Sequence, residues 1–226
     1  LGVPILAPAV GQMIMLVAPW PWIFGVFALA GGAFMIWAGL RLPETLHAED
    51  RMPINLGRIA GAFRFALTSR QGMGYTLAMT VISGALFGFI NSSQQIFADV
   101  FDAEAAFPAI FALIAGGIAV ASLVNARLVV KLGSRRISHT ALIGFTAISA
   151  VHAAVAIGGH ESIWTFAVLQ TLTMFCFGLI AGNFGAMAME TMGHIAGTAA
   201  SIQGFVSTIA GSLLGFAVGQ QFNGTT

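Results

Sequence analysis

The chain has 226 residues, of which 58% are hydrophobic and only 8% are charged, and its formal net charge is +1 at pH 7. Soluble domains carry about 25% charged residues, so this composition excludes a water-facing globular domain, and the near-neutral charge gives no indication of a nucleic-acid partner. The single cysteine, Cys176, lies in an apolar stretch. We expect it to be an ordinary buried side chain, because no spacing typical of a zinc or redox site surrounds it.

Long apolar segments alternate with short connections along the whole chain. A helix needs about 20 apolar residues to cross the hydrocarbon core of a bilayer, and helices satisfy their own backbone polar groups in lipid. The runs are too long and continuous for the strands of a barrel. The sequence therefore predicts an all-α, polytopic transmembrane helix bundle with about seven segments: 1–18, 22–40, 73–98, 106–126, 137–158, 163–189 and 195–219. Because no basic leader precedes Leu1, we expect an internal fragment of a longer protein with a truncated first segment.

The charged residues predict the orientation of these segments. All nine Lys and Arg residues fall in two connections, which an even number of crossings separates. Basic connections stay on the cytoplasmic side, so the pattern predicts a multi-pass membrane protein with residues 18–22 and 220–226 outside. The two basic sets are Arg41, Arg51, Arg58, Arg64 and Arg70, and then Arg127, Lys131, Arg135 and Arg136. The outer connections carry only acids: Asp99, Asp102 and Glu104 in one, and Glu161 in the other.

The longest connection, residues 41–72, divides the chain. Within residues 54–70, Arg58 and Arg64 alternate with the apolar Ile59 and Phe63, which predicts an amphipathic helix on the inner membrane surface. A solvated linker is the alternative. We expect residues 1–40 to end a first helix bundle, residues 41–72 to link, and residues 73–226 to form a second bundle that lacks its last helix.

Glycines recur at four-residue spacing in three segments. Small residues at this spacing let transmembrane helices approach closely. The pattern predicts close packing at Gly84 and Gly88, at Gly178 and Gly182, and at Gly211, Gly215 and Gly219.

Amide side chains within the segments are candidates for a binding site. Polar groups in hydrocarbon are costly and usually face a bundle interior or an aqueous cavity. We predict that five of them contact substrate, and the alternative is that they only make hydrogen bonds between helices: Asn91, Gln94, Gln95, Gln170 and Asn183.

Titratable residues within the segments do not identify a proton carrier. No Asp, Glu, Lys or Arg lies in the middle of a segment, while His152 lies inside the fifth. His152 is either an inert hydrogen-bonded side chain or part of a proton relay. A proton carrier would therefore lie outside this sequence, or transport is not coupled to protons. No metalloprotease motif or Ser/His/Asp set is apparent, so we do not expect an enzyme.

Several motifs in order along the chain resemble the major facilitator superfamily, and in particular its Bcr/CflA drug-resistance branch. Residues 1–12 (LGVPILAPAVGQ) are similar to the antiporter motif of the fifth helix, which usually ends Gly-Pro-x-x-Gly-Gly, and they keep Pro8 and Gly11. WIF at residues 22–24 and LPETL at 42–46 are typical of the sixth helix of this branch. NARLVVKLGSRR at 125–136 resembles the basic loop between helices eight and nine, and AGTAAS at 196–201 resembles the start of helix eleven.

This resemblance implies a partial major facilitator fold running from helix five to helix eleven. It implies proton-driven efflux of drugs or related small molecules across the bacterial inner membrane by alternating access. It also implies the proton as coupling ion, no other cofactor, contact with membrane lipid, and a monomeric whole protein. Pro8 and Gly11 would shape a helix that changes conformation. The cytoplasmic gate would include four basic residues: Arg127, Lys131, Arg135 and Arg136. The alternative is that these residues only set the orientation of the protein in the membrane. A metabolite uniporter or importer on the same fold, or a membrane scaffold without transport, are the alternative functions.

Overall fold

The computed structural model of the chain describes residues 3–43, 55–222 and 224. Glu44, Thr45, Leu46 and Arg51, which the sequence analysis named, lie outside these residues. Within them the chain folds into eight α-helices: α1 Val3–Val17, α2 Trp22–Arg41, α3 Leu56–Thr68, α4 Arg70–Gln95, α5 Phe107–Leu132, α6 Ser134–Ile157, α7 Ile163–Met189 and α8 Ala196–Gly219. A π-helical turn, Ile96–Val100, extends α4, and 3₁₀ turns at Glu104–Ala106 and Gly193–Ile195 precede α5 and α8.

Six helices of the described chain are long and apolar enough to cross a membrane, which confirms the prediction of a polytopic helix bundle. They are α2, α4 with its π-helical turn, α5 and α8 with their 3₁₀ turns, α6, and α7. The described part of α1 has 15 residues, fewer than the roughly 20 that a crossing needs. A helix is also present where an amphipathic one was expected, since α3 begins at Leu56 and ends at Thr68.

Local sequence signals fix where several helices begin. The hydroxyl of Ser69 accepts a hydrogen bond from the Gly72 amide at 3.1 Å and caps α4. Ser162 caps α7 in the same way, accepting from the Thr165 amide at 3.2 Å. Both bonds satisfy an amide that has no partner within its helix.

The basic connection between the fourth and fifth segments is much shorter than the predicted segment ends, 126 and 137, implied. It is almost entirely helical, because α5 continues to Leu132 and α6 begins at Ser134. Lys and Arg favour helix once the chain has left the hydrocarbon, so the apolar run does not mark the end of the helix. Gly133 makes the break with φ of 76°, a left-handed conformation that suits a residue without a side chain.

Glycines allow two close helix crossings, as the four-residue spacing predicted. At Gly215 in α8, an added methyl carbon would stand 2.5 Å from Cβ of Phe87 and 2.7 Å from the amide nitrogen of Gly88 in α4. At Gly178 in α7, it would stand 2.7 Å from Cβ of Ala121 in α5. These distances are far below van der Waals contact, so the helices can approach this closely only with glycine.

The same prediction is wrong for Gly182, around which no atom lies within 4 Å of an added methyl carbon. The crossing with α5 is already made one turn earlier, and straight helices diverge on either side of a crossing point.

The two close crossings occur in two similar pairs of helices. In one pair α8 packs against α4, and in the other α5 packs against α7. The two pairs meet where α4 and α7 pack against each other in the centre of the bundle. α6 packs along α7, whereas no helix of the described chain packs along α4 in the corresponding way. One side of α4 is therefore left open.

Aromatic side chains fill the outer end of the bundle. The ring of Phe97, in the π-helical turn, is fully buried and meets the rings of Phe107 and Phe166 edge-on or tilted, with centroids less than 6 Å apart. Phe89 of α4 stacks on Phe111 of α5 at 5.5 Å. These contacts join α4, α5 and α7 by large apolar areas.

The first two helices pack less extensively. α1 lies against α5, while α2 follows α1 through a short turn and buries none of its residues. A helix that is apolar on every side and exposed on every side is suited to lipid or to further helices of a bundle.

Candidate functional site

The open side of α4 forms the wall of a cavity of about 660 Å³. α6 and α7 form its other walls, and residues after the end of α8 lie at its rim. Its volume is within the range of small-molecule sites in proteins. Most of the wall is apolar, with a few polar groups: Ser92, Ser149, His152, Glu161, Gln170, Thr173 and Gln221.

An ionisable pair lies at the outer end of this cavity. Nε2 of His152 is 2.5 Å from Oε1 of Glu161, and their side chains are 16% and 4% exposed. The second carboxylate oxygen, Oε2 of Glu161, is buried and has no hydrogen-bond partner in the described chain. Phe166 meets the imidazole ring edge-on, with centroids 5.3 Å apart. A buried carboxylate with one unused oxygen can accept a further hydrogen bond from an N–H or O–H group.

The sequence analysis missed this pair. It placed Glu161 in an outer connection and treated His152 as a single residue. The two are nine residues apart, and the chain reverses between them at Gly158 and Gly159, the latter with φ of 66°. One signal in the sequence could have predicted the contact. It is a Gly-Gly turn between two apolar helices, with a His before the turn and a Glu just after it.

Gln170 lies in the cavity wall, as expected for a substrate contact. It is buried in α7 and lies in the same cavity as Ser92 of α4. Three other predicted contacts do not join it. Asn91, Gln94 and Gln95 are exposed and are not part of this wall. Asn91 instead lies at the crossing with α8, where its Cβ is 3.5 Å from the methyl carbon that Gly219 would carry.

Asn183 connects two helices. Its Nδ2 donates to Oδ1 of Asn125 in α5 at 2.6 Å and to the carbonyl of Leu179 at 2.7 Å. Both amide hydrogens are thus used by protein acceptors, and the side chain is 2% exposed. This arrangement favours the alternative that the sequence left open for Asn183, an interhelical hydrogen bond without a ligand.

A second polar network lies at the end of the bundle that the charges place inside. Nε2 of Gln71 donates to Oε2 of Glu190 at 2.8 Å and to the carbonyl of Met187 at 3.2 Å. These bonds tie the start of α4 to the end of α7. Gln71, Glu190 and Arg135 line a cavity of about 800 Å³ at this end.

The four predicted gate residues are all exposed. Arg135 and Arg136 are in the first turn of α6, whereas Arg127 and Lys131 are in the last turns of α5. Within the described chain, none of them lies within 4.0 Å of a carboxylate oxygen. Their positions fit both proposed roles, a cytoplasmic gate and orientation.

Pro8 and Gly11, which were predicted to shape a helix that changes conformation, both lie in α1. No atom lies within 4 Å of a methyl carbon added at Gly11. No three His, Cys, Asp or Glu side chains of the described chain come together in a way that could hold a metal ion.

Comparison with known proteins gives one family. The profile of the Major Facilitator Superfamily matches residues 1–215. The chain is 27% identical over 222 residues to an uncharacterized MFS-type transporter, YdgK, of Bacillus subtilis, covering 96% of this chain and 54% of the relative. It is 26% identical over 213 residues to a bicyclomycin resistance protein homolog of Haemophilus influenzae, covering 94% of this chain and 53% of the relative. The chain thus spans about half the length of the curated relatives it matches. No solved structure matches it significantly.

Proposed function

The chain belongs to the Major Facilitator Superfamily, and from this premise we propose that the whole protein is a secondary active transporter. We propose that it expels drugs or other small molecules across the inner membrane by proton-coupled alternating access. The observation that carries the proposal is the family match over nearly the whole chain, together with a relative named for bicyclomycin resistance.

The packing of the chain supports alternating access. Transporters of this superfamily have two halves built from inverted helix repeats, which rock about a site near the middle of the membrane. The two similar helix pairs, α4 with α8 and α5 with α7, agree with one such half. α1 packs against this half at α5, so we propose that α1, with Pro8 and Gly11, belongs to the other half and forms part of the moving interface.

The two cavities support different roles for the polar residues that line them. We propose that Gln170, in the wall of the outer cavity, contacts substrate. Asn91, Gln94 and Gln95 are exposed outside this cavity, and we propose that they contact substrate only in a different conformation of the cycle. Asn183 is proposed as a substrate contact only in a state in which its bond to Asn125 is broken. Gln71, Glu190 and Arg135 would then lie at the cytoplasmic end of the path.

Coupling to protons requires a group that binds and releases them. Within the described spans, no Asp, Glu, Lys or Arg lies at mid-membrane, and Glu161 is at the outer end of α6 and α7. We therefore propose that the proton carrier lies in the part of the protein that this chain does not include. The same observation favours the second candidate, uniport or import of a metabolite on the same fold, which needs no such carrier.

The test uses the whole protein in a drug-hypersensitive bacterium. Intracellular accumulation of a panel of dyes and antibiotics, bicyclomycin among them, is followed with and without a protonophore. The proposal predicts reduced accumulation that the protonophore reverses. Unchanged accumulation across the panel, with normal amounts of protein in the membrane, would contradict efflux and favour metabolite transport.

A further inference from the structure

Helix α3 has an apolar face that the bundle does not cover. Its buried residues, Ala62 and Ala66, face the bundle, where Ala66 packs with Met192, Ala199 and Ile202 around the start of α8. The ring of Phe65 also meets the ring of His194 edge-on, with centroids 5.1 Å apart. α3 is therefore held on the protein at one end of the bundle, the end that the basic residues place in the cytoplasm.

Beside the buried face runs a second apolar stripe. Leu56, Ile59, Phe63 and Leu67 follow one another at three- and four-residue spacing, so they share one side of the helix. They are 81%, 38%, 44% and 52% exposed. The described chain thus leaves all four side chains partly uncovered, although large apolar side chains in a row disfavour contact with water.

The described charged residues of α3 and of its junction with α4 are basic. Arg64 and Arg70 are exposed, and Arg64 projects about 100° around the helix from Phe63 because successive residues turn by that angle. The sequence has no Asp or Glu between residues 51 and 98. Glu190, the carboxylate found at this end of the bundle, accepts a hydrogen bond from Gln71.

We propose that α3 and Arg70 form a docking surface for anionic phospholipids of the inner leaflet. The stripe of Leu56, Ile59, Phe63 and Leu67 enters the boundary between headgroups and acyl chains, and Arg64 and Arg70 bind headgroup phosphates. An apolar stripe flanked by arginines is the pattern of helices that lie in a membrane interface. Arginine suits this role because its planar guanidinium binds two phosphate oxygens at once. Each basic residue at an anionic surface raises affinity by about five-fold.

The competing occupant of the stripe is the other helix bundle of the same protein, and the experiment separates the two. A cysteine-free form of the whole protein receives a single cysteine, either by Phe63→Cys or, as a water-facing control on the same helix, by Thr68→Cys. Each is labelled with a fluorophore and reconstituted in bilayers of phosphatidylcholine with phosphatidylglycerol. Quenching is measured with phosphatidylglycerol or phosphatidylcholine that carries a nitroxide near the top of its acyl chain, at equal mole fractions.

The proposal predicts strong quenching at position 63, weak quenching at position 68, and several-fold greater quenching by labelled phosphatidylglycerol than by labelled phosphatidylcholine. This preference should fall towards one when Arg64→Gln and Arg70→Gln are combined, and should be unchanged by Arg136→Gln in the other basic connection. Equal quenching by the two lipids, or none at position 63, would overturn the proposal. The measurement does not depend on transport, so its failure and the failure of the proposed function are distinguishable.

Discussion

We expect His152→Ala to destabilise the protein mainly because Glu161 loses its hydrogen-bond partner, and only to a smaller degree because the imidazole ring itself is lost. The Glu161 side chain is 4% exposed, and its Oε2 has no partner in the described chain. His152→Ala removes the group on Oε1 as well, so the buried carboxylate keeps no hydrogen bond from this pair. Leaving a buried acceptor without a hydrogen-bond partner costs about 1–3 kcal/mol, and we expect a loss of that order for His152→Ala.

The double variant makes the reasoning testable. When both partners become apolar, no unpaired group is left, so His152→Ala combined with Glu161→Ala should lose less stability than the sum of the single variants. The expected coupling is on the order of 2 kcal/mol. Equilibrium unfolding of the whole protein in mixed micelles, followed by circular dichroism, measures it. His160→Ala is the matched control, since His160 is exposed in the same turn, and its effect should stay within about 0.5 kcal/mol. Equal losses for His152→Ala and His160→Ala, or additive losses in the double variant, would refute the reasoning.

Three further predictions use the same unfolding measurement. Gly215→Ala should cost about 1–3 kcal/mol, because the new methyl group meets α4 at 2.5 Å, whereas Gly182→Ala meets no atom within 4 Å and should be neutral or stabilising; equal effects would contradict the close crossing. Asn183→Ala should cost about 1–3 kcal/mol by leaving Oδ1 of the half-buried Asn125 without its donor, and adding Asn125→Ala should recover part of this loss; no recovery would show that the two amides do not act as a pair. Glu190→Ala, at an exposed position, should change stability by less than about 0.5 kcal/mol and yet alter the transport rate, since it removes one of the two hydrogen bonds that join Gln71 of α4 to the end of α7; an unchanged rate would contradict a role for Glu190 at the cytoplasmic end of the path.

Much of the fold could be predicted because lipid imposes strong constraints on sequence. A crossing requires a long apolar run, so segment number and order followed directly from the sequence, and six spans are present in the described chain. Close packing likewise requires small residues, which made Gly215 and Gly178 recognisable in advance. The ends of helices were less predictable, because helix can continue beyond the hydrocarbon, as α5 does to Leu132.

The candidate site was harder to predict, since a polar residue in an apolar run does not reveal what it faces. Gln170 lies in a cavity wall, whereas Asn183, of similar chemistry on the same helix, is bonded to Asn125 of α5. The difference depends on which side of α7 each residue occupies and on which helix packs there. The pair of His152 and Glu161 depends on a chain reversal at Gly159, which brings a residue of one apolar segment against a residue of the connection that follows it. Tertiary packing, rather than local pattern, determines both features.

We propose that the whole protein couples the movement of a small molecule to the movement of protons. We would purify it, reconstitute it in proteoliposomes that hold a pH-sensitive dye inside, and impose a pH gradient in the presence of a substrate found by the accumulation assay. If this is so, protons should move down their gradient while substrate moves in the opposite direction over the same time course, and an ionophore that collapses the gradient should stop both movements. Substrate movement at the same rate and to the same final level with and without the gradient would contradict proton coupling and identify a uniporter.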